Sequence, residues 1–327
     1  MKILIRLPNW LGDLVMSSAF IKAVHRQFPN SIVDVMVKKN LSGILPLLTG
    51  INRVYEISTQ STSNIFSHYW FLKKNNFQNY DLFFCLPNSF SSALIGFFSK
   101  SNIRIGYKNE LRAFLLTHSY SIPERKHRAE EYIFLLEKYT GKKITNLNTE
   151  LSSDQFKGRI IPDGKNIILN FNSVAQSRRV PVTKAVEIIT KVQSQFDYNL
   201  LLIGSLEEVN YTRQIENLLA EKKNIYNYAG KLNLIELAQI IYESDLLLTT
   251  DSGIAHLANA FHKKTVVLFG AGDEINTRPY NYTKLQVMRA KNIDCAPCIS
   301  NKCKLGTPIC LTEINSGLIV NSLQEVN

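Results

Sequence analysis

Residues 244–272 read SDLLLTTDSGIAHLANAFHKKTVVLFGAG, and the fold class follows from how that stretch divides. Three consecutive leucines bounded by polar residues make Asp245 to Thr250 a short strand covered on both faces. Ser252 is placed to cap a helix in which Ile254, Leu257, Ala258 and Phe261 recur at the spacing of one apolar face. Thr265 to Phe269 then supplies a second apolar strand, so the stretch is a strand, helix, strand unit with a tight first turn. Asp251, Ser252 and Gly253 stand where a strand's carboxyl end meets a helix amino terminus, the place where parallel sheets bind ligands and unpaired backbone N–H groups attract phosphate. Gly253 lets a ligand approach the backbone closely. His256 falls on the side of the helix away from Ile254 and Leu257, which predicts a side chain facing out of the core toward a ligand; the alternative is a satisfied core histidine. Asp251 also suits an acidic helix cap, and the two roles are compatible.

Upstream the same alternation holds. Ile167 to Leu169 predicts a strand, followed by a polar loop to Pro181 and a helix ending near Gln195. A strand at Leu200 to Ile203, a helix from about Glu207 to Ala220, a strand near Ile225 and a helix from Leu234 to Tyr242 complete the set. Ser173 and Arg178 lie in the loop after the first of these strands, and Glu208 follows the turn Gly204, Ser205. An arginine there suits a phosphate, and a carboxylate suits ribose or sugar hydroxyls. From Gly141 to Gly164 the apolar periodicity fades, which places a domain boundary near 160.

The amino-terminal half repeats the pattern. Lys2 to Leu7 predicts a strand, Pro8 and Gly12 bracket a turn, and a helix runs from about Asp13 to Gln27, with the next strand at Ile32 to Val37. No G-x-G-x-x-G follows the first strand, which argues against an ordinary dinucleotide-binding opening. Asp13 at the helix start suits both a favourable charge on the helix dipole and a catalytic base. Val54 to Ile57 is a weak strand, Ser58 to Ser67 a serine-rich loop, Tyr80 to Leu86 a strong strand, and Ile103 to Tyr107 a further short one. Asn88 and Ser89 occupy another strand-end turn, as helix caps or as ligand contacts. Arg125 to Arg128 form a basic run before a helix that ends near Tyr139. Two successive sets of alternating strands and helices imply an α/β protein of two doubly wound domains, 1–160 and 161–327, facing across a cleft.

The 327 residues carry a net charge of +11, which points to an anionic partner: a nucleic acid, a phosphorylated small molecule or a negatively charged membrane face. No run approaches the roughly 18 apolar residues of a membrane helix, and the first residues are too weakly apolar for a signal peptide, so a cytoplasmic location is expected. Cys295, Cys298, Cys303 and Cys310 cluster in CAPCISNKCKLGTPIC, a C-x2-C-x4-C-x6-C spacing. Four close thiolates suit a structural zinc; buried or incidental thiols are the alternative.

PNWLGDLVMS with its Gly12-Asp13 pair, TTDSGIAHLANAF and LFGAGDE resemble glycosyltransferase family 9, the bacterial lipopolysaccharide heptosyltransferases. YDLFFCLPNSFSSAL and RIGYKNELRAFLL are most similar to the heptosyltransferase II branch, and CAPCISNKC resembles a cysteine-bearing segment of many members. The resemblance implies a GT-B fold of two Rossmann-like domains and inverting transfer of heptose from ADP-L-glycero-D-manno-heptose to the inner core of lipid A-linked oligosaccharide at the inner membrane surface. It implies Asp13 as general base, Asp251, Ser252, Gly253 and His256 on the donor's diphosphate and sugar, and Glu208 as a donor-binding carboxylate. Arg178 stands where the family has lysine near a Trp-Pro pair; here Val180 precedes Pro181.

The residues agree with that chemistry. An inverting transfer needs a base for the acceptor hydroxyl and a cationic, N–H-rich site for the departing diphosphate. The chain has no D-x-D, so no cofactor is expected in catalysis; Arg178 and a helix dipole are expected to hold the diphosphate. The basic residues Arg104, Lys108, Arg112 and Arg125 to Arg128 are expected to meet an anionic acceptor or membrane. Two other classes compete: a sugar-nucleotide epimerase or nicotinamide enzyme, and a nucleic-acid-binding protein with a zinc knuckle. The missing glycine fingerprint opposes a nicotinamide enzyme, and only Lys302 and Lys304 flank the cysteines, which opposes nucleic-acid binding.

Overall fold

The structure is a computed structural model, and it describes residues 1–58, 80–109 and 111–324. The predicted loop Ser58 to Ser67 lies, beyond Ser58, outside the described residues. The chain divides into two compact units, Met1–Ser152 and Ser153–Asn327. Residues 156–160 go with the second unit because that unit holds them. Phe156 packs on Tyr242 and Phe261 at 5.4 and 5.7 Å, and Gln239 Nε2 donates to the carbonyl of Gly158.

In the first unit β1 (Lys2–Arg6), α1 (Leu11–Gln27), β2 (Ile32–Lys38), β3 (Arg53–Ile57), β4 (Leu82–Cys85), α2 (Phe90–Phe98), β5 (Ile103–Tyr107), β6 (His118–Tyr120) and α3 (Arg128–Thr140) follow in order. The strands form one parallel sheet, β3-β2-β1-β4-β5-β6. The second unit runs β7 (Asn166–Asn170), α4 (Val182–Gln195), β8 (Asn199–Leu202), α5 (Val209–Leu218), β9 (Ile225–Asn227), α6 (Leu234–Glu243), β10 (Leu246–Thr250), α7 (Gly253–Ala260), β11 (Lys264–Phe269), α8 (Glu274–Thr277), β12 (Leu285–Arg289), α9 (Ile309–Thr312) and α10 (Ser316–Leu323). Its sheet, β12-β11-β10-β7-β8-β9, repeats the first unit's order. The fold is α/β and doubly wound in both halves.

Apolar burial explains why these strands form. Ile3, Leu4 and Ile5 of β1 and Leu247 and Leu248 of β10 are completely buried, at roughly 1.5–3 kcal/mol for each large side chain taken from water. Three elements carry no comparable sequence signal. β6 is three residues, His118 to Tyr120, and β12 and α10 follow a stretch rich in Asn, Thr and Lys. They form because a sheet edge and the α4 face stand ready to receive them.

The strand order reverses between β1 and β4 in the first unit and between β7 and β10 in the second. Loops leaving neighbouring strands in opposite directions open a crevice at the carboxyl ends, and ligands bind there in doubly wound sheets. Asp34 of β2 is buried among Asn52 and Tyr80, whose side chains both donate to it.

Arg112 departs from the reading of it as a surface cation. Its side chain is fully buried, donating to the carbonyls of Tyr107 (2.8 Å), Pro87 (2.6 Å) and Ser89 (3.0 Å). It thereby ties the turn after β4 to the loop after β5. His127 is also buried, its Nδ1 accepting from the Ala129 amide at 3.1 Å, so the run from Arg125 is not one solvated face. Arg112→Ala leaves three buried carbonyls without their donor and should lower unfolding free energy by about 3 kcal/mol or more, read as a shift of the urea midpoint.

Candidate active site

At the β1/β4 crevice, α1 begins at Leu11, two residues before the predicted start, with Trp10 as its N-cap. Gly12 therefore lies inside the first turn, and Asp13 is the third helical residue rather than the first. Its carboxylate meets α3: the Tyr132 hydroxyl donates to Asp13 Oδ1 at 3.3 Å, and Arg128 Nε stands 3.8 Å from the same oxygen. Arg128 is also held by Glu131, at 2.7 Å. Burial raises the pKa of Asp13, while the Arg128 charge and the Tyr132 hydrogen bond pull it back. Such opposition keeps a carboxylate ionised yet basic. Ser89 caps α2, its Oγ accepting from the Ser92 amide at 3.4 Å, so the capping role is the one its contacts show. Asn88 Oδ1 beside it is buried with no hydrogen-bond partner among the described residues.

At the β7/β10 crevice, Asp251 ends β10 and Arg178 closes a short 3-10 turn after β7, and the two side chains pair at 3.0 Å. The Arg178 charge is thus shared with a buried carboxylate before any phosphate arrives. Its Nε is buried with no hydrogen-bond partner among the described residues, an N–H that an anion can still claim. Gly272 is needed beside this pair, because a Cβ there would lie 1.9 Å from Asp251 Oδ2. Arg289 closes the far side by donating to the carbonyls of Gly270 and Gly272 at 3.0 and 2.8 Å.

Ser252 is the N-cap of α7, but its side chain makes no capping bond. It accepts from Asn170 Nδ2 at 3.0 Å and meets Thr249 Oγ1 at 3.1 Å. The first N–H groups of α7, including that of Gly253, accordingly have no side-chain cap, which suits an anion at the helix start. His256 is 6% exposed and buried against the unit, so the expectation that it faces out of the core is corrected. Burial in α7 runs from Ala255 to Ala260 and includes His256, whereas Ser252, Gly253 and Ile254 at its start stay partly exposed.

Glu208 closes a capping box: Ser205 N donates to its Oε2 at 2.8 Å, and Arg179 Nη2 is 4.0 Å from its Oε1. Ser173 offers its carbonyl to Arg179 at 3.2 Å. The structure thus joins Arg178, Asp251 and Ser252 at one crevice, and places Glu208 and Ser173 on Arg179 next to it. Tyr132, Asn170, Arg289 and Gly272 were not singled out from the sequence. Asn170 carried a usable signal, an amide ending an apolar run; the others gain meaning only from contacts distant in sequence.

The cysteine segment packs behind this crevice. Ser177 N donates to the Asn301 carbonyl at 3.1 Å, and Ile299 N donates to the Ala271 carbonyl at 2.8 Å. All four cysteines are free thiols: Cys295 and Cys298 exposed, Cys303 half-buried, Cys310 buried against Gly270. Burial pushes the Cys310 thiol up, with the other three adding to it. Among the described residues no three His, Cys, Asp or Glu side chains gather to hold a metal ion.

The family model for glycosyltransferase family 9 (heptosyltransferase) matches residues 71–308. The chain belongs to that family. Lipooligosaccharide heptosyltransferase 2 of Haemophilus influenzae is 26% identical over 304 residues, 85% of this chain and 86% of that protein. Lipopolysaccharide heptosyltransferase 2 of Escherichia coli K12 is 25% identical over 311 residues, 88% of each chain. The solved structure of E. coli ADP-heptose lps heptosyltransferase II superposes with a TM-score of 0.82 at 22% identity, covering 99% of this chain and 97% of that one. The protein is therefore a glycosyltransferase with the GT-B fold class of the heptosyltransferases.

Burial outweighs the Arg178 and Arg289 charges at Asp251 and lifts its pKa from 3.8 to about 6. The native state then binds this proton more tightly than the unfolded chain, so stability falls as pH rises from about 4 to about 6. Asp251→Asn does not titrate. Thermal unfolding of the two proteins across this range should show the wild type losing stability relative to the variant, with the difference level above that window.

Proposed function

We propose that this glycosyltransferase moves heptose from ADP-L-glycero-D-manno-heptose to the inner core of a lipid A-linked oligosaccharide, inverting the anomeric centre. The observation that carries the reading is Asp13: a first-turn carboxylate at a topological switch point, a quarter exposed, with its pKa raised by burial and steadied by Arg128 and Tyr132. Its family relatives named heptosyltransferase 2 support the donor sugar and the acceptor class.

The acceptor hydroxyl oxygen attacks the anomeric carbon and its proton passes to Asp13. The bond from that carbon to the diphosphate oxygen breaks, and the electron pair leaves with ADP. The departing charge falls to Arg178 and the uncapped start of α7 at Ser252 and Gly253, with Asp251 and His256 bordering the donor and Ser173 and Glu208 fixing Arg179 alongside. Asn88, with its buried unpaired oxygen, and Ser89 line the acceptor side. We further propose that the enzyme works on the cytoplasmic face of the inner membrane; among the described residues no helix is long and apolar enough to cross it.

Asp13→Asn keeps the shape and removes the base, so single-turnover transfer should fall by ~10²–10⁴ with ADP affinity and folding intact. A near-normal rate would place the base elsewhere. Tyr132→Phe deletes a hydrogen bond that favours the carboxylate, so the acid limb of the rate profile should move to higher pH.

No metal is assigned to the diphosphate. Transfer should survive EDTA, and loss of activity restored by Mg²⁺ in folded protein would overturn this. A structural zinc on Cys295, Cys298, Cys303 and Cys310 would require their segment to close around the ion. Elemental analysis reads it: near one zinc per chain establishes the knuckle, and none leaves four thiols.

A further inference from the structure

Leu111 is 91% exposed and stands at φ +56, a left-handed conformation that bulky residues rarely adopt. A leucine held in strained backbone with its side chain in water gains nothing for the fold, so strain at this position points to a use. The loop is not loose. Arg112 N donates to the Asn109 carbonyl at 3.0 Å, Leu115 N donates to the Arg112 carbonyl at 3.0 Å, and the buried Arg112 side chain pins this turn to Tyr107, Pro87 and Ser89. Leu115 and Leu116 point inward onto Ala93 and Leu94 of α2. Phe114, 72% exposed, points the other way, its ring 6.2 Å from that of Phe90. Phe97, two turns along α2 from Phe90 and so on the same face, is 46% exposed.

Cations border this apolar face. The Arg104 guanidinium lies 5.7 Å above the Phe97 ring, and Lys100 and Lys108 are exposed at the ends of the same segment. With Arg112 buried, the segment from Ser99 to Pro123 sets the surface cations Lys100, Arg104 and Lys108 against one carboxylate in its sequence, Glu110, which lies outside the described residues.

We infer that the loop after β5, with the outer face of α2, docks on a bilayer bearing anionic headgroups, Leu111, Phe114 and Phe97 entering the interface while Lys100, Arg104 and Lys108 meet the phosphates. Exposed aromatic and aliphatic side chains ringed by Lys and Arg are the chemistry of interfacial binding. A second copy of the chain fits worse. Like-charged rims repel, and a handful of side chains falls far short of the roughly 20–30 residues a side of a stable protein interface. The inference deepens the proposed function, whose acceptor is lipid-linked, by naming the surface that reaches it.

The test uses the full-length protein and the variants Leu111→Ser and Leu111→Ser/Phe114→Ser. Both sites are exposed, so unfolding midpoints should match wild type. Co-sedimentation with vesicles of phosphatidylethanolamine and phosphatidylglycerol should show wild-type binding that weakens as salt rises and nearly disappears on pure phosphatidylcholine. The double variant should bind about tenfold more weakly or less, while transfer to a delipidated core oligosaccharide stays unchanged. Wild-type protein that ignores anionic vesicles, a double variant that binds them equally, or a wild-type dimer that the variant converts to monomer would each overturn the docking surface. A wild type that binds these vesicles and loses them in the double variant, yet never transfers heptose, would sink the proposed function and leave the docking surface standing.

Discussion

Parallel strands buried on both faces must be joined by crossovers, and a sheet wound in both directions must reverse its order once. In each unit that reversal separates two loops at the carboxyl ends of the strands. It falls between β1 and β4 and between β7 and β10. The polar residues of interest are therefore gathered by topology: Asp13, Asn88 and Ser89 in one unit, Arg178, Asp251 and Ser252 in the other.

The two aspartates show how similar positions become different chemical groups. Asp251 ends a buried strand, faces a guanidinium at 3.0 Å and has glycine packed against its carboxylate, so it is a fixed partner of Arg178. Asp13 sits in a first helical turn, touched by a phenol and a more distant guanidinium, and keeps part of its surface open. Burial raises the pKa of both, so access separates them: Asp251 is enclosed in its pair with Arg178, whereas a quarter of the Asp13 side chain stays open to a hydroxyl.

Buried guanidinium groups organise the first unit in a way that net charge conceals. Arg112 and Arg6 are both buried and bonded to backbone carbonyls, Arg6 to those of Leu7 and Met36 and also to Asn9, and burial brings the pKa of Arg6 down to about 10. Part of the +11 charge is thus structural, spent on fixing the ends of β1 and β4 and the loop after β5.

The order of residues dictates the alternation of strands and helices, because runs such as Leu246 to Leu248 have no stable place except a sheet covered on both faces. It also marks candidate turns, since Gly12-Asp13 and Asp251-Ser252-Gly253 interrupt apolar runs at strand ends. What each polar side chain does in those turns depends on contacts that the fold brings together. Ser252 turns to Asn170 instead of capping its helix, His256 is buried, Glu208 closes a capping box, and Arg112 leaves the surface, because their partners lie on other elements. Periodicity records whether a residue is apolar at a repeating interval; it carries no record of which distant carbonyl or hydroxyl stands within 3 Å. The edge strands β6 and β12 escaped for the same reason, since a strand of three or five mixed residues forms only against a neighbour already in place.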